Sequence, residues 1–102
     1  MNSIPYYIYI IRCQDDSLYT GITTDLQRRF NEHLSSNRGA KYTHVKKPQK
    51  IEIAWQTTTR SLASKLEYLI KHLKKSEKEK LIAGYLSINI FGDEFSINFQ
   101  KL

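Results

Sequence analysis

Tyr6, Ile8 and Ile10 fall on one face of an extended segment and Tyr7 and Tyr9 on the other, so Tyr6–Cys13 predicts a strand suited to burial. Gln14-Asp15-Asp16-Ser17 supplies turn residues, and Leu18–Ile22 follows as a second strand, making the two a hairpin. The period then lengthens. Leu26, Phe30 and Leu34 recur at helical spacing behind Thr24 and Gln27, which have capping-box form, and predict a helix from Asp25 to about Ser35. Ile51–Thr58 is rich in β-forming residues and predicts a third strand. Ser61 opens a second helix to about Lys75 on the stripe Leu62, Leu66, Leu69 and Leu73. Ser76 with Glu79 forms another capping box, and Gly84 stops the short helix it starts. Beyond it Leu86, Ile88, Ile90 and then Phe95, Ile97, Phe99 alternate across Gly92-Asp93, which predicts a β-hairpin. The order ββαβαα plus a terminal hairpin is that of a small α+β domain.

Length and composition narrow the class. A chain of 102 residues with 40% hydrophobic and 25% charged residues fits one globular domain. No apolar stretch approaches the roughly 20 residues of a membrane span, and the N-terminus has no signal-peptide pattern, so the cytoplasm is the expected location. A single cysteine, Cys13, excludes an internal disulfide or a multi-cysteine zinc site and reads as a small buried hydrophobe.

Charge points to the partner. The chain carries 16 Lys and Arg against 10 Asp and Glu, a net +6, which suits a polyanion: nucleic acid first, an acidic membrane second. The excess is concentrated before residue 85, with 15 bases against 8 acids, whereas residues 85–102 hold Lys101 against Asp93 and Glu94. Arg38, Lys41, Lys46, Lys47 and Lys50 stand together with no acid among them, in a segment with Gly39, Tyr42 and Pro48 that reads as a basic loop.

Several polar residues sit where a surface residue is not expected. Measured from Leu26 on the first helix, Arg29 falls about 60° away and His33 about 20°, while Arg28 points about 160° away. One arginine of the pair is therefore solvated and the other lies along the packed strip, four residues before His33. Singly, Arg29 reads as a snorkelling side chain and His33 as a core-edge histidine; together, after a Tyr-rich hairpin, they favour a site. Glu67 flanks the leucine stripe of the second helix among Lys65, Lys71, Lys74 and Lys75, either as a surface ion pair or as a ligand for a hard divalent cation.

Tyr7-Ile8-Tyr9, then Tyr19-Thr20-Gly21, then Arg29 and His33 at their spacing, resembles the GIY-YIG nuclease superfamily. Tyr19-Thr20-Gly21-Ile22-Thr23-Thr24-Asp25 and Gly39-Ala40-Lys41-Tyr42-Thr43 are similar to its small single-domain YhbQ-like bacterial branch. Tyr7 stands where the first triplet has Gly, and Ile22 where DNA-repair members have Lys. The resemblance covers roughly residues 5–83. It implies a three-stranded antiparallel sheet flanked by helices and a nuclease-like domain over residues 1–84; residues 85–102 have no match in it and read as a C-terminal extension, the β-hairpin packed on the same domain.

By the same resemblance, Tyr9, Tyr19, Arg29, His33 and Glu67 are the candidate catalytic residues, with Glu67 holding Mg²⁺ or Mn²⁺. Phosphodiester hydrolysis needs an activated water and charge stabilisation on the phosphoryl oxygens. A planar guanidinium at Arg29 suits the phosphate, and Tyr9 or Tyr19 is the general base if a nearby cation lowers its pKa. His33 would orient the tyrosine oxygen or assist proton transfer. Arg38, Lys41, Lys46, Lys47 and Lys50 would follow the phosphate backbone, with Tyr42 stacking on an unpaired base. The expected activity is structure-selective cleavage of branched or single-strand-containing DNA, linked to repair or recombination. DNA is favoured over RNA, and the alternative is a non-catalytic nucleic-acid-binding module of the same fold.

Overall fold

The N-terminal strand forms the centre of a sheet. In the computed structural model, which describes residues 4–35 and 47–102, β1 (Tyr6–Cys13) lies inside a four-stranded antiparallel sheet of order β2-β1-β3-β4. β2 (Leu18–Thr23) returns along β1 through a turn in which Asp16 takes a φ of 71°, a conformation Asp tolerates better than most residues. β3 (Pro48–Thr57) pairs with the other edge of β1, and β4 (Gln100–Lys101) adds a short fourth strand to the three expected.

A bulge gives β3 two apolar faces. Ile10 lies opposite Ile53 but Ile11 lies opposite Ile51, so Glu52 is an extra residue in β3. Ile53 and Ile51, two positions apart, therefore join different cores. On one side of the sheet Ile8, Ile10, Ile53 and Trp55 pack with Ala63, Leu66 and Ile70 of α2 (Arg60–Lys71) and Leu81 of α3 (Lys75–Ala83). On the other side Tyr9, Ile11, Cys13 and Ala54 pack with Leu26 and Phe30 of α1 (Leu26–Ser35).

Local hydrogen bonds set the helix ends, not always where the sequence placed them. Asp25, not Thr24, caps α1: its Oδ1 accepts from Arg28 N at 3.1 Å, and its own N–H donates to Thr23 Oγ1 at 3.1 Å. Thr59 caps α2, accepting from Leu62 N, and the helix ends at Lys71 rather than Lys75. Lys74 N donates to Glu77 Oε1 at the start of α3, two residues ahead of the Ser76–Glu79 box, and the Glu79 carboxylate is taken by Arg12 of β1. Gly84 ends α3 at φ 89°, as its position predicts.

The terminal hairpin is not formed. Residues 88–91 make a 3₁₀ turn, Asp93–Asn98 a short helix, α4, and only Gln100–Lys101 is extended. The apolar period there is four, not two: Phe95 stacks on Phe99 at 5.8 Å and meets Phe91 edge-on, while Ile97 is 79% exposed. Asp93 and Glu94 occupy the first turn of α4, where carboxylates are favoured. Ile88, Phe95 and Phe99 are buried in the same core as β1 and α2. A hollow of about 290 Å³ between Trp55, Leu81, Ile88 and Phe99 lies on this side of the sheet, across from Tyr9. No described helix is long and apolar enough to cross a membrane.

Candidate active site

The strand register builds the first half of the site. Tyr9 sits directly opposite Gly21, and Tyr19 lies two pairs further along, opposite Ile11 and on the same face of β2 as Gly21. The Tyr9 side chain is 1% exposed and crosses over Gly21: a Cβ there would stand 2.5 Å from the Tyr9 hydroxyl and 3.2 Å from a Tyr19 ring carbon. A glycine in a strand interior marks such a close approach, and that signal was available in the sequence. The two tyrosine rings are 6.2 Å apart, Tyr9 buried and Tyr19 half in solvent.

Helix α1 supplies the second half. Leu26 and Phe30 hold it against the sheet, which turns the strip carrying Arg29 and His33 towards the tyrosines. The Tyr9 hydroxyl lies 3.3 Å from His33 Nε2, and the Tyr19 ring meets the imidazole edge-on at 5.2 Å. The Arg29 guanidinium approaches both tyrosine hydroxyls and pairs with Glu32 at 3.2 Å. Arg28 is exposed, as the helical angles require.

The electrostatics fix the protonation states. Burial, then the Arg29 cation, hold the His33 imidazolium pKa below its ordinary value, which favours the neutral ring at pH 7; in its Nδ1–H tautomer Nε2 accepts from the Tyr9 O–H. The Tyr9 pKa is raised: burial outweighs the lowering effect of Arg29, and the charges of Tyr19 and Glu67 also oppose ionisation. Arg29 thus acts on Tyr9 in the direction expected of a nearby cation, but enclosure of the ring outweighs it.

Glu67 projects from α2, half-buried, within electrostatic reach of the Tyr9 hydroxyl. Its Oε2 lies 3.3 Å from Lys71 Nζ, a partner the i,i+4 spacing could have disclosed. The carboxylate therefore already seats a cation. Among the described residues no cluster of three or more His, Cys, Asp and Glu could hold a metal. One carboxylate fits a hard ion that keeps most of its waters, Mg²⁺ or Mn²⁺, better than a zinc cage.

The basic segment is only partly placed. Arg38, Lys41, Tyr42 and Lys46 lie outside the described residues. Lys47 is exposed, its carbonyl accepting from Gln14 N at 2.8 Å. Lys50 is not in a loop: it lies in β3, opposite Arg12 of β1, and its Nζ lies 3.4 Å from Glu52, because the strand begins at Pro48.

Comparison with known proteins decides the family. The GIY-YIG catalytic domain matches residues 5–80. The chain belongs to the GIY-YIG family. It is 44% identical over 99 residues to a UPF0213 protein of Vibrio cholerae, covering 94% of this chain and 91% of that one. It is 46% identical over 78 residues to the UPF0213 protein YhbQ of Salmonella paratyphi B, covering 76% and 77%. The solution structure of a UPF0213 protein from Bacillus halodurans superposes with a TM-score of 0.51 at 40% identity, over 78% of this chain and 83% of that one. Within this GIY-YIG domain Tyr9 and Gly21 are cross-strand partners, so the tyrosine of one triplet packs over the glycine of the other.

Proposed function

We propose that the chain is a metal-dependent endonuclease that hydrolyses phosphodiester bonds in DNA, selective for branched or single-strand-containing forms and acting in cytoplasmic repair or recombination. The observation that carries this reading is the Tyr9 hydroxyl, buried and hydrogen-bonded to a neutral histidine beneath a guanidinium. Residues 1–84 are the nuclease domain and residues 85–102 its extension.

With its pKa raised, Tyr9 is a poor standing base but a good conduit. It takes a proton from the attacking water at its oxygen as its own proton passes to His33 Nε2, and the imidazolium releases that proton to solvent. Tyr9 is then neutral before and after the step, which burial favours. Arg29 forks onto the non-bridging oxygens and offsets the charge that grows there. Tyr19, half exposed, positions the water or the phosphate. Glu67 would hold Mg²⁺ or Mn²⁺, which when bound supplies Lewis-acid polarisation of the scissile phosphate. Lys47 and Lys50, with Arg38, Lys41, Tyr42 and Lys46, contact the flanking backbone.

The test is a cleavage panel of forked DNA, duplex DNA and structured RNA with and without Mg²⁺, beside the Glu67→Ala protein. Product only from forked DNA, only with metal and only with Glu67 present is the expected result. Salt-sensitive binding without any product would identify a binding module instead; preferential cutting of the RNA would reassign the substrate.

A further inference from the structure

The outer face of α2 carries no catalytic candidate, yet its composition is unusual. Ser61, Ser64, Lys65, Tyr68 and Lys71, with His72 at the C-cap, are all exposed and each lies within about 60° of Tyr68 around the helix, with no carboxylate in the stripe. At its middle the Tyr68 ring, 62% exposed, lies against His72 with centroids 4.1 Å apart and planes tilted by 38°. His72 Nδ1–H donates to the Tyr68 carbonyl at 2.7 Å, so the imidazole is held in one orientation. Two flat rings are thus pinned side by side at the surface. An exposed tyrosine locked in this way presents a π-face without an ordering cost on contact.

The flanks of the stripe differ. On one side Lys65 is engaged by Glu94 of α4 at 3.2 Å and lies over the Phe95 ring. On the other, Lys71 borders Glu67, whose carboxylate it touches. A planar ligand on Tyr68 with an anionic group on its Glu67 side would meet Lys71 next and Glu67 after it. A nucleotide has that arrangement: a stacking base and a phosphate one sugar away.

Resting on the nuclease reading above, we infer that Tyr68 and His72 form a stacking shelf for an unpaired nucleobase of the substrate, with Lys71 taking the adjoining phosphate and leading the strand to Glu67. A base paired in the interior of a duplex cannot reach the shelf, because both its faces are stacked on its neighbours. The shelf therefore selects nucleic acid with a single-stranded stretch beside the scissile bond.

The experiment uses the full chain carrying Glu67→Gln, to block cutting, and a DNA duplex with a single-stranded overhang holding one fluorescent adenine analogue. Binding should quench the analogue at one or two overhang positions and not within the duplex. Adding Tyr68→Ala should abolish that quenching and weaken overhang binding about 5- to 100-fold while leaving blunt-duplex affinity unchanged. Tyr68→Phe should retain both, and circular dichroism should show Tyr68→Ala folded, since the ring is exposed. Unaltered quenching and affinity in folded Tyr68→Ala would overturn the shelf alone. Failure of the unsubstituted protein to bind duplex or overhang would overturn the nucleic-acid reading and the shelf with it.

Discussion

Gly21 stands opposite Tyr9 across the β1–β2 ladder, and the Tyr9 hydroxyl occupies the space a side chain at 21 would need. An alanine Cβ would lie 2.5 Å from that oxygen and 2.7 Å from the ring carbon bearing it, and neither atom is on a flexible end. Gly21→Ala should therefore cost about 1–3 kcal/mol of stability by overpacking. Its larger effect should fall on cleavage, near 10²-fold, because the ring must leave His33 to make room. A thermal melt beside a single-turnover cleavage assay separates the two, and an alanine variant that cuts at the full rate would remove Tyr9 from the chemistry.

The strip of α1 makes the second prediction. Arg29 faces the tyrosines and Arg28 faces water, its amide capped by Asp25. Arg29→Ala should slow cleavage about 10²- to 10³-fold, the usual loss for one group stabilising a developing oxyanion, while Arg28→Ala leaves the rate close to unchanged. Arg29→Lys should recover little, since a point charge cannot reproduce the planar fork. Rates for the three proteins at saturating Mg²⁺ check this; equal losses at 28 and 29 would contradict the facing of the helix.

How far these relationships could be read in advance depends on their range along the chain. The strand alternation of Tyr6–Cys13 and the 3.6 period of Leu26, Phe30 and Leu34 are local, and both elements formed, though only Leu26 and Phe30 pack on the sheet while Leu34, in the last turn, is exposed. The meeting of Tyr9 with His33, 24 residues apart, was legible only because helix angles set Arg29 and His33 on one strip and the triplet resemblance tied that strip to the hairpin. Glu52 could not be foreseen as a bulge, because nothing in Ile51-Glu52-Ile53 distinguishes an alternating strand from one with an inserted residue. The tail misled for a related reason: Phe95, Ile97 and Phe99 satisfy a period of two, while Phe91, Phe95 and Phe99 satisfy a helical one. Only the packing against Ile88 and the sheet decides between them.

His33 gives the pH dependence. Its folded pKa lies below the ordinary histidine value of about 6.5. The unfolded chain therefore binds the proton more readily, so this residue favours folding fully above pH ~6.5 and opposes it as pH falls through the folded value. Cleavage should follow the same limb, rising from acid pH as His33 becomes able to accept from Tyr9 and levelling before neutrality. His33→Gln should lower the plateau and abolish the limb; persistence of the limb in that variant would assign it to another group.

Arg12 ties the hairpin to the rest of the molecule. From β1 it donates to Glu52 at 2.9 Å, to both oxygens of Glu79 at 2.6 Å, and to Asp16 of the turn at 3.1 Å, while Lys75 joins Asp16 at 2.9 Å. Arg12→Met should cost about 2–3 kcal/mol in urea unfolding, because Glu52 is left largely buried without its main partner. The Glu79 and Asp16 carboxyls are held below their ordinary values by Arg12 and Lys75 respectively. Their contribution is present above the unfolded carboxyl range near pH 4 and is lost as pH falls through the lower folded values. The acid limb of the stability curve should flatten in Arg12→Met, and an unchanged limb would show that the network does not govern acid unfolding.

Lys71 competes with metal for Glu67. Its Nζ, 3.3 Å from Oε2, holds a positive charge beside the carboxylate expected to bind Mg²⁺ or Mn²⁺, so the ion must displace it or share the oxygen. Both side chains are partly open to water, with Lys71 49% and Glu67 22% exposed, and the displacement is correspondingly cheap. Lys71→Gln should tighten Mn²⁺ binding several-fold, read by the loss of free-ion electron paramagnetic resonance signal without any nucleic acid present. Glu67→Gln should abolish the same binding. Removing metal with EDTA should stop cleavage in every active variant and restore it on adding Mg²⁺, with Lys71→Gln needing less of the ion for half-maximal rate. Equal Mn²⁺ affinity in Lys71→Gln and the unsubstituted protein would mean the ammonium and the ion use different faces of the carboxylate.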